Sequence, residues 1–159
     1  MTENEYISAV KRNNHRIFLI ALSYMKNQHD AEDIMQETFM KLWNSKITFE
    51  SHEHMDKWLI KVCINACKDI FRLSFRKNSP LDEAVDISCC DQYFNIDLFN
   101  AVSSLPKKER IVVHMFYYED MSVKEISKLL NIKESTIKSL LHRSRKKLKI
   151  KLGDEWINE

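Results

Sequence analysis

SVKEISKLLNIKESTIKSLLHRSRKKLK, residues 122–149, is the most informative stretch of the chain. It reads as two short helices joined by a tight turn. Ser122 and Glu125 have the spacing of a capping box, in which hydroxyl and carboxylate each satisfy an orphan N–H at the helix start. Val123, Ile126, Leu129 and Leu130 then fall on one apolar face. Asn131 is predicted to end this helix, because the left-handed conformation at a helix C-terminus suits Asn best after Gly. A second helix is predicted to begin near Glu134 and Ser135, with Ile137, Leu141, Ser144 and Leu148 on its inner stripe. At 100° per residue, Ser135, Ser139, His142, Arg143 and Lys146 fall on the other side. From Lys133 to Lys151 the chain carries eight Lys/Arg against a single acid, Glu134. Such a hairpin is either a packing unit with a solvated charge run or a helix-turn-helix whose second helix enters a DNA major groove.

The rest of the chain bears on that choice. Among 159 residues there is one glycine, Gly153, and two prolines, Pro80 and Pro106. A mostly helical protein follows, and phosphate-cradling glycine loops are excluded. With 44% hydrophobic and 30% charged residues the chain can bury a core and stay in solution. The net charge of +2 hides an asymmetry: residues 1–75 are neutral, residues 76–104 carry −3 and residues 105–159 carry +5. That distribution suggests two modules and an acidic connector, with nucleic acid as partner of the last module.

No run of 18 or more apolar residues occurs, and the polar MTENEY start is no signal peptide, so a cytoplasmic protein with reduced thiols is expected. Cys63 and Cys67 are four apart and Cys89 and Cys90 adjacent; neither pair has metal-ligand spacing, and bystander thiols are expected. No metal or cofactor is expected.

The first segment, Glu3 to Met25, carries Ile7, Val10, Ile17, Ile20, Ala21 and Tyr24 inward, with Lys11 and Arg16 outside, as one helix or two. A second helix is predicted over Asp30–Asn44, capped by Asp30. It buries Ala31, Ile34, Met35, Phe39 and Leu42. Its opposite stripe, Asp33, Gln36, Glu37, Met40 and Asn44, reads either as solvated surface or as a docking face. Ser45–Asp56 is predicted as a loop containing Phe49, and a third helix is predicted over Lys57–Phe75. On its wheel Lys57, Lys61, Asn65, Lys68 and Arg72 lie within about 80° of one another. Flanked by Trp58, this face suits phosphates plus an exposed base. Residues 78–95 read as a linker. A helix is predicted from Pro106 through KKERIVVHMFYY.

These motifs resemble those of sigma factors of the extracytoplasmic-function type, within the sigma-70 family. DAEDIMQETFMKLW (Asp30–Trp43) resembles the helix by which such factors dock on core RNA polymerase. WLIKVCINACKDIFR (Trp58–Arg72) resembles the helix engaging the −10 promoter element. Residues 104–148 resemble the helix-turn-helix that reads the −35 element. The resemblance spans about residues 5–152. It implies an all-α protein: a sigma-2-like helical bundle over residues 1–77, an acidic linker over 78–95 and a sigma-4-like helix-turn-helix domain over 96–159.

The resemblance assigns polymerase docking to Asp33, Gln36, Glu37 and Met40. It assigns −10 recognition and base capture to Phe49, Lys57, Trp58, Lys61, Asn65, Lys68 and Arg72. It assigns −35 recognition to Ser135, Thr136, Lys138, Ser139, His142, Arg143 and Lys146. Implied partners are core RNA polymerase, promoter DNA and, as a candidate, an anti-sigma factor, membrane-bound or free, with no membrane insertion of this chain. Three positions depart from the family pattern: Asn131 for a usual Gly, Leu140 for a usual Arg (one phosphate contact fewer), and Lys133 for a better N-cap. An ordinary two-domain repressor or activator is the alternative. An enzyme is disfavoured, because no triad or metal spacing is present.

Overall fold

The computed structural model describes residues 1–76 and 96–153. The predicted linker, with Cys89 and Cys90, lies outside the described residues. The chain divides into two compact units, Met1–Asp86 and Ile87–Glu159. Every regular element among the described residues is helical.

In the first unit α1 (Glu3–Met25), α2 (Gln28–Asn44) and α3 (His52–Arg76) pack around one apolar core. Ile17, Ile20, Ile34, Leu42, Leu59 and Ile64 are fully buried there, each side chain contributing about 1.5–3 kcal/mol by leaving water. α1 is a single helix opened by a Thr2–Glu5 capping box and closed by Lys26 in the left-handed region (φ 54°). Ile7, expected inside, is 41% exposed; it lies in the first two turns, before the neighbouring helices cover that face.

α2 begins earlier than expected. Asn27, not Asp30, is its N-cap, and its Oδ1 accepts the N–H of Asp30 at 2.9 Å. α3 also starts earlier, at His52. The Ser51 hydroxyl accepts the N–H of His54 at 3.1 Å, so the polar residues His52, Glu53 and His54 form its first turn and the connecting loop shrinks to residues 45–51. Cys63 and Cys67 are free and buried. A hydrogen bond with Cys63, then burial, push the Cys67 thiol pKa upward, which suits inert packing groups.

The second unit contains α4 (Ile96–Ser103), α5 (Lys107–Val113), a π-helical turn (His114–Tyr118), α6 (Val123–Leu130) and α7 (Glu134–Leu152). Pro106 stands just before α5 as its N-cap rather than as its first residue. The expected continuous helix through Tyr118 widens at His114: the Glu119 N–H reaches back five residues to the His114 carbonyl at 3.2 Å. Across this turn the His114 ring lies flat against Tyr118, with centroids 5.0 Å apart. His114 is buried, and burial pulls its pKa down to about 4. It is therefore neutral at pH 7, and its 3.9 Å approach to Glu119 is no ion pair under those conditions.

Candidate nucleic-acid interfaces

The helix-turn-helix is built as its local chemistry demands. The Ser122 hydroxyl accepts the Glu125 N–H at 3.1 Å, and the Glu125 carboxylate accepts the Ser122 N–H at 2.9 Å. Asn131 closes α6 at φ 56°, ψ 48°, the left-handed turn that otherwise calls for glycine. α7 starts at Glu134 with Lys133 as N-cap and no side-chain cap hydrogen bond.

α7 buries Ile137, Leu140, Leu141, Ser144 and Leu148, and the Ser144 hydroxyl donates to the Leu140 carbonyl. Leu140 is 4% exposed. At this position, where the family pattern would carry Arg, the Leu side chain packs beside the buried stripe and fills the core.

Ser135, Thr136, Lys138, Ser139, His142, Arg143 and Lys146 are all exposed. On the helical wheel they occupy an arc of about 160° opposite the core. Two neighbouring cations are held differently. Arg145 donates to the Tyr117 hydroxyl at 2.8 Å and lies over the Phe116 and Tyr117 rings, and Lys147 reaches both oxygens of the buried Glu109 carboxylate at 3.0 Å. The fold thus sorts the basic run, placing Arg145 and Lys147 in internal contacts and leaving Arg143, Lys146 and Lys138 on the outer arc.

The second face is on α3. Lys57, Lys61, Asn65 and Arg72 are exposed, while Trp58 and Lys68 are half-buried. Lys57 pairs with Glu53 at 2.8 Å and Arg72 with Asp69 at 3.4 Å, both within the helix. Such exposed pairs are worth little and open readily to a phosphate. Phe49 from the loop meets the Trp58 ring edge to face at 5.5 Å, and the His54 ring at 5.6 Å. Asn65 stands on the same face as Trp58, two turns or about 10 Å further along.

The structure brings Phe49 to Trp58 but sets Asn65 apart from them. A cavity of ≈ 830 Å³ beside the loop opens on the α1 side, among Asn4, Arg12, Ile47, Phe49, His52 and Met55. Trp58 and Asn65 do not line it.

On α2, Asp33, Gln36, Glu37 and Met40 form one exposed stripe, with Met40 62% exposed. Asp33 faces His29 at 3.2 Å, and Glu37 pairs with Lys41 at 2.6 Å. The sequence reading missed the apolar end of this stripe. Trp43 is 51% exposed with its ring edge on Tyr6 at 5.0 Å. Its i+3 spacing from Met40 was the available signal.

Two helical units, one ending in a helix-turn-helix with a basic outer arc, have the architecture of a DNA-binding protein. Two family models match the chain: Sigma-70 region 2 over residues 9–78 and Sigma-70, region 4 over residues 96–148. The chain is 31% identical to the ECF RNA polymerase sigma factor SigM of Bacillus subtilis, covering 84% of this chain and 86% of that one. It is 27% identical to RNA polymerase sigma factor SigV of the same organism, covering 94% and 92%. Among solved structures it resembles the sigma factor RpoE of Bartonella quintana, held there with the anti-sigma factor NepR. That match has a TM-score of 0.77 and 21% identity, and covers 95% of this chain and 98% of that one. The chain belongs to the extracytoplasmic-function sigma factors of the sigma-70 family, transcription initiation factors that are not enzymes. No helix among the described residues is long and apolar enough to cross a membrane.

Proposed function

We propose that this sigma factor recruits core RNA polymerase through the α2 stripe, reads a −35 element with the outer arc of α7, and opens the −10 region with α3 and its loop. Residues 1–77 serve docking and −10 recognition, residues 96–159 serve −35 recognition, and residues 78–95 connect them, in the cytoplasm. The observation that carries the reading is the pair of basic faces, one on each unit. One suits a major groove, and the other ends in an aromatic pair suited to an unstacked base.

Capturing a base costs a few kcal/mol of unstacking, offset by stacking and hydrogen bonding in the protein. Phe49 and Trp58 supply the stacking surface, Asn65 a polar group able to read a base edge, and Lys61 and Lys68 the phosphate contacts. On α7, Arg143 and Lys146 contact phosphate or base edges, supported by Ser135, Thr136, Lys138, Ser139 and His142.

Since the Bartonella quintana relative is solved with an anti-sigma factor, an anti-sigma partner covering the same faces is a further element of the reading. Run-off transcription by core polymerase on a promoter library, with and without the protein, tests the whole. Promoter-specific transcripts that depend on the protein are expected. Strong operator binding by the protein alone, without polymerase association, would refute it in favour of an ordinary regulator.

A further inference from the structure

α3 meets α1 through a polar cluster centred on one side chain, Asp56. Asp56 sits near the start of α3, two residues before Trp58, on the side of the helix turned towards α1. Its side chain is 18% exposed. Oδ1 accepts from Asn13 Nδ2 at 2.8 Å and from Arg12 Nη2 and Nε at 3.0 and 3.4 Å, while Oδ2 lies 3.8 Å from Arg16 Nη1. All three partners belong to α1. Asn13 is itself buried and anchored, donating also to the Ala9 carbonyl at 3.1 Å. Arg12 Nη2 lies 3.9 Å from Met55 Sδ, and Arg12, Met55 and Phe49 line one cavity.

Stability alone does not call for this cluster. α1 and α3 already pack together in a core that buries Ile17, Ile20, Leu59 and Cys63, with the Cys63 thiol 3.7 Å from the Ile17 carbonyl, and a part-buried ion pair is often no more stabilising than apolar residues of the same volume. What the hydrogen bonds from Asn13 and Arg12 to Oδ1 add is geometry, because hydrogen bonds are directional. Directional bonds of this kind oppose even a small slide or rotation of α3 along α1. Such a shift would carry Trp58, Lys61 and Asn65 with it and part Phe49 from Trp58.

We infer that Asp56 is a positioning residue for promoter opening, setting the register of α3 through Arg12 and Asn13 so that the Phe49–Trp58 pair and, two turns on, Asn65 face the opened strand. This rests on the base-capture reading above. The test compares Asp56→Ala and Asp56→Asn with wild type and Asn65→Ala, as assembled holoenzymes, by permanganate reactivity at −10 on duplex and on premelted templates. Asp56→Ala should assemble at wild-type yield, lose about tenfold in opening on duplex DNA and recover most of it on premelted DNA. Asp56→Asn, which keeps the acceptor for Asn13, should fall between. Combined with Asn65→Ala, Asp56→Ala should add little further loss. Wild-type opening by Asp56→Ala while Asn65→Ala is impaired overturns this inference alone; no effect of Asn65→Ala overturns the capture reading. Equal loss on both templates, or failure of both Asp56 variants to fold, makes Asp56 a structural residue and overturns the inference.

Discussion

Arg143 and Arg145 are two residues apart in one basic run, yet their surroundings assign them different work. Arg143 is exposed on the outer arc of α7, whereas Arg145 is tied to Tyr117 and lies over two rings. Arg143→Ala should lower the salt slope of −35 binding by about one if it meets a phosphate, or relax preference at one −35 position if it meets a base. Salt titration of holoenzyme on promoter variants reads both; no change in either would remove Arg143 from the interface. Arg145→Ala should leave the salt slope alone and destabilise the second unit by about 1 kcal/mol, seen as a lower urea midpoint. His114 gives a pH prediction of the same local kind. Its folded pKa of about 4 lies below the ordinary value of about 6.5, so the unfolded chain takes up the proton first. Its contribution is complete above about pH 6.5 and is lost as pH falls towards 4. Tyr118 and the Glu119 carboxylate face it. The urea midpoint of His114→Gln should fall less steeply than wild type over that window; parallel curves would show that burial does not set the His114 charge state.

At the scale of single elements, helix ends offer the cleanest stability tests. Ser122→Ala removes the hydroxyl that caps α6 and should cost about 1 kcal/mol, while Lys133→Ser should add a missing cap to α7 and stabilise it by a similar or smaller amount. Urea unfolding distinguishes the two signs. On α2, Asp33→Arg or Glu37→Lys should weaken holoenzyme assembly without unfolding the protein, and Met40→Ala should weaken it less. Co-purification of the charge-reversed proteins with core polymerase at wild-type yield would remove the stripe from the docking surface. These elements also show what the sequence makes legible. The capping box, the left-handed Asn131 and the inner stripe of α7 are local patterns, readable from periodicity and spacing. Asn27 and Asp30 are both good cap residues three apart, so composition alone could not choose between them. The start of α3 was hidden because His52, Glu53 and His54 carry no apolar period, although Ser51 offers a cap. The π-helical turn left no mark in the hydrophobic pattern. Among site residues, the exposed arc of α7 was legible as the complement of its core stripe. The seating of Phe49 on Trp58 and the Asp56 cluster were not, because they depend on tertiary packing, in the cluster across more than 40 residues of chain.

For the molecule as a whole, if the two basic faces on separate compact units act on DNA as proposed, the free protein should bind weakly. Each face offers only a few cations, and non-specific contacts of that size give low affinity at physiological salt. A capture surface contributes nothing to duplex binding until the strands part, since an extruded base exists only then. On the function proposed, core polymerase supplies what the free protein lacks by holding both units on one promoter, so that the second contact becomes intramolecular. Free protein should therefore bind duplex promoter DNA poorly, and holoenzyme should open it in a manner that depends on Phe49, Trp58 and Asn65. Asn65→Ala should reduce permanganate reactivity of thymines around −10 on duplex templates, with much less effect where the −10 region is already mismatched. The difference between templates isolates the unstacking step, because a defect in docking or in −35 contact would lower reactivity on both. Equal reactivity of wild type and the Asn65→Ala, Phe49→Ala double variant on duplex DNA would rule out the capture surface, leaving the α3 face as a set of backbone contacts.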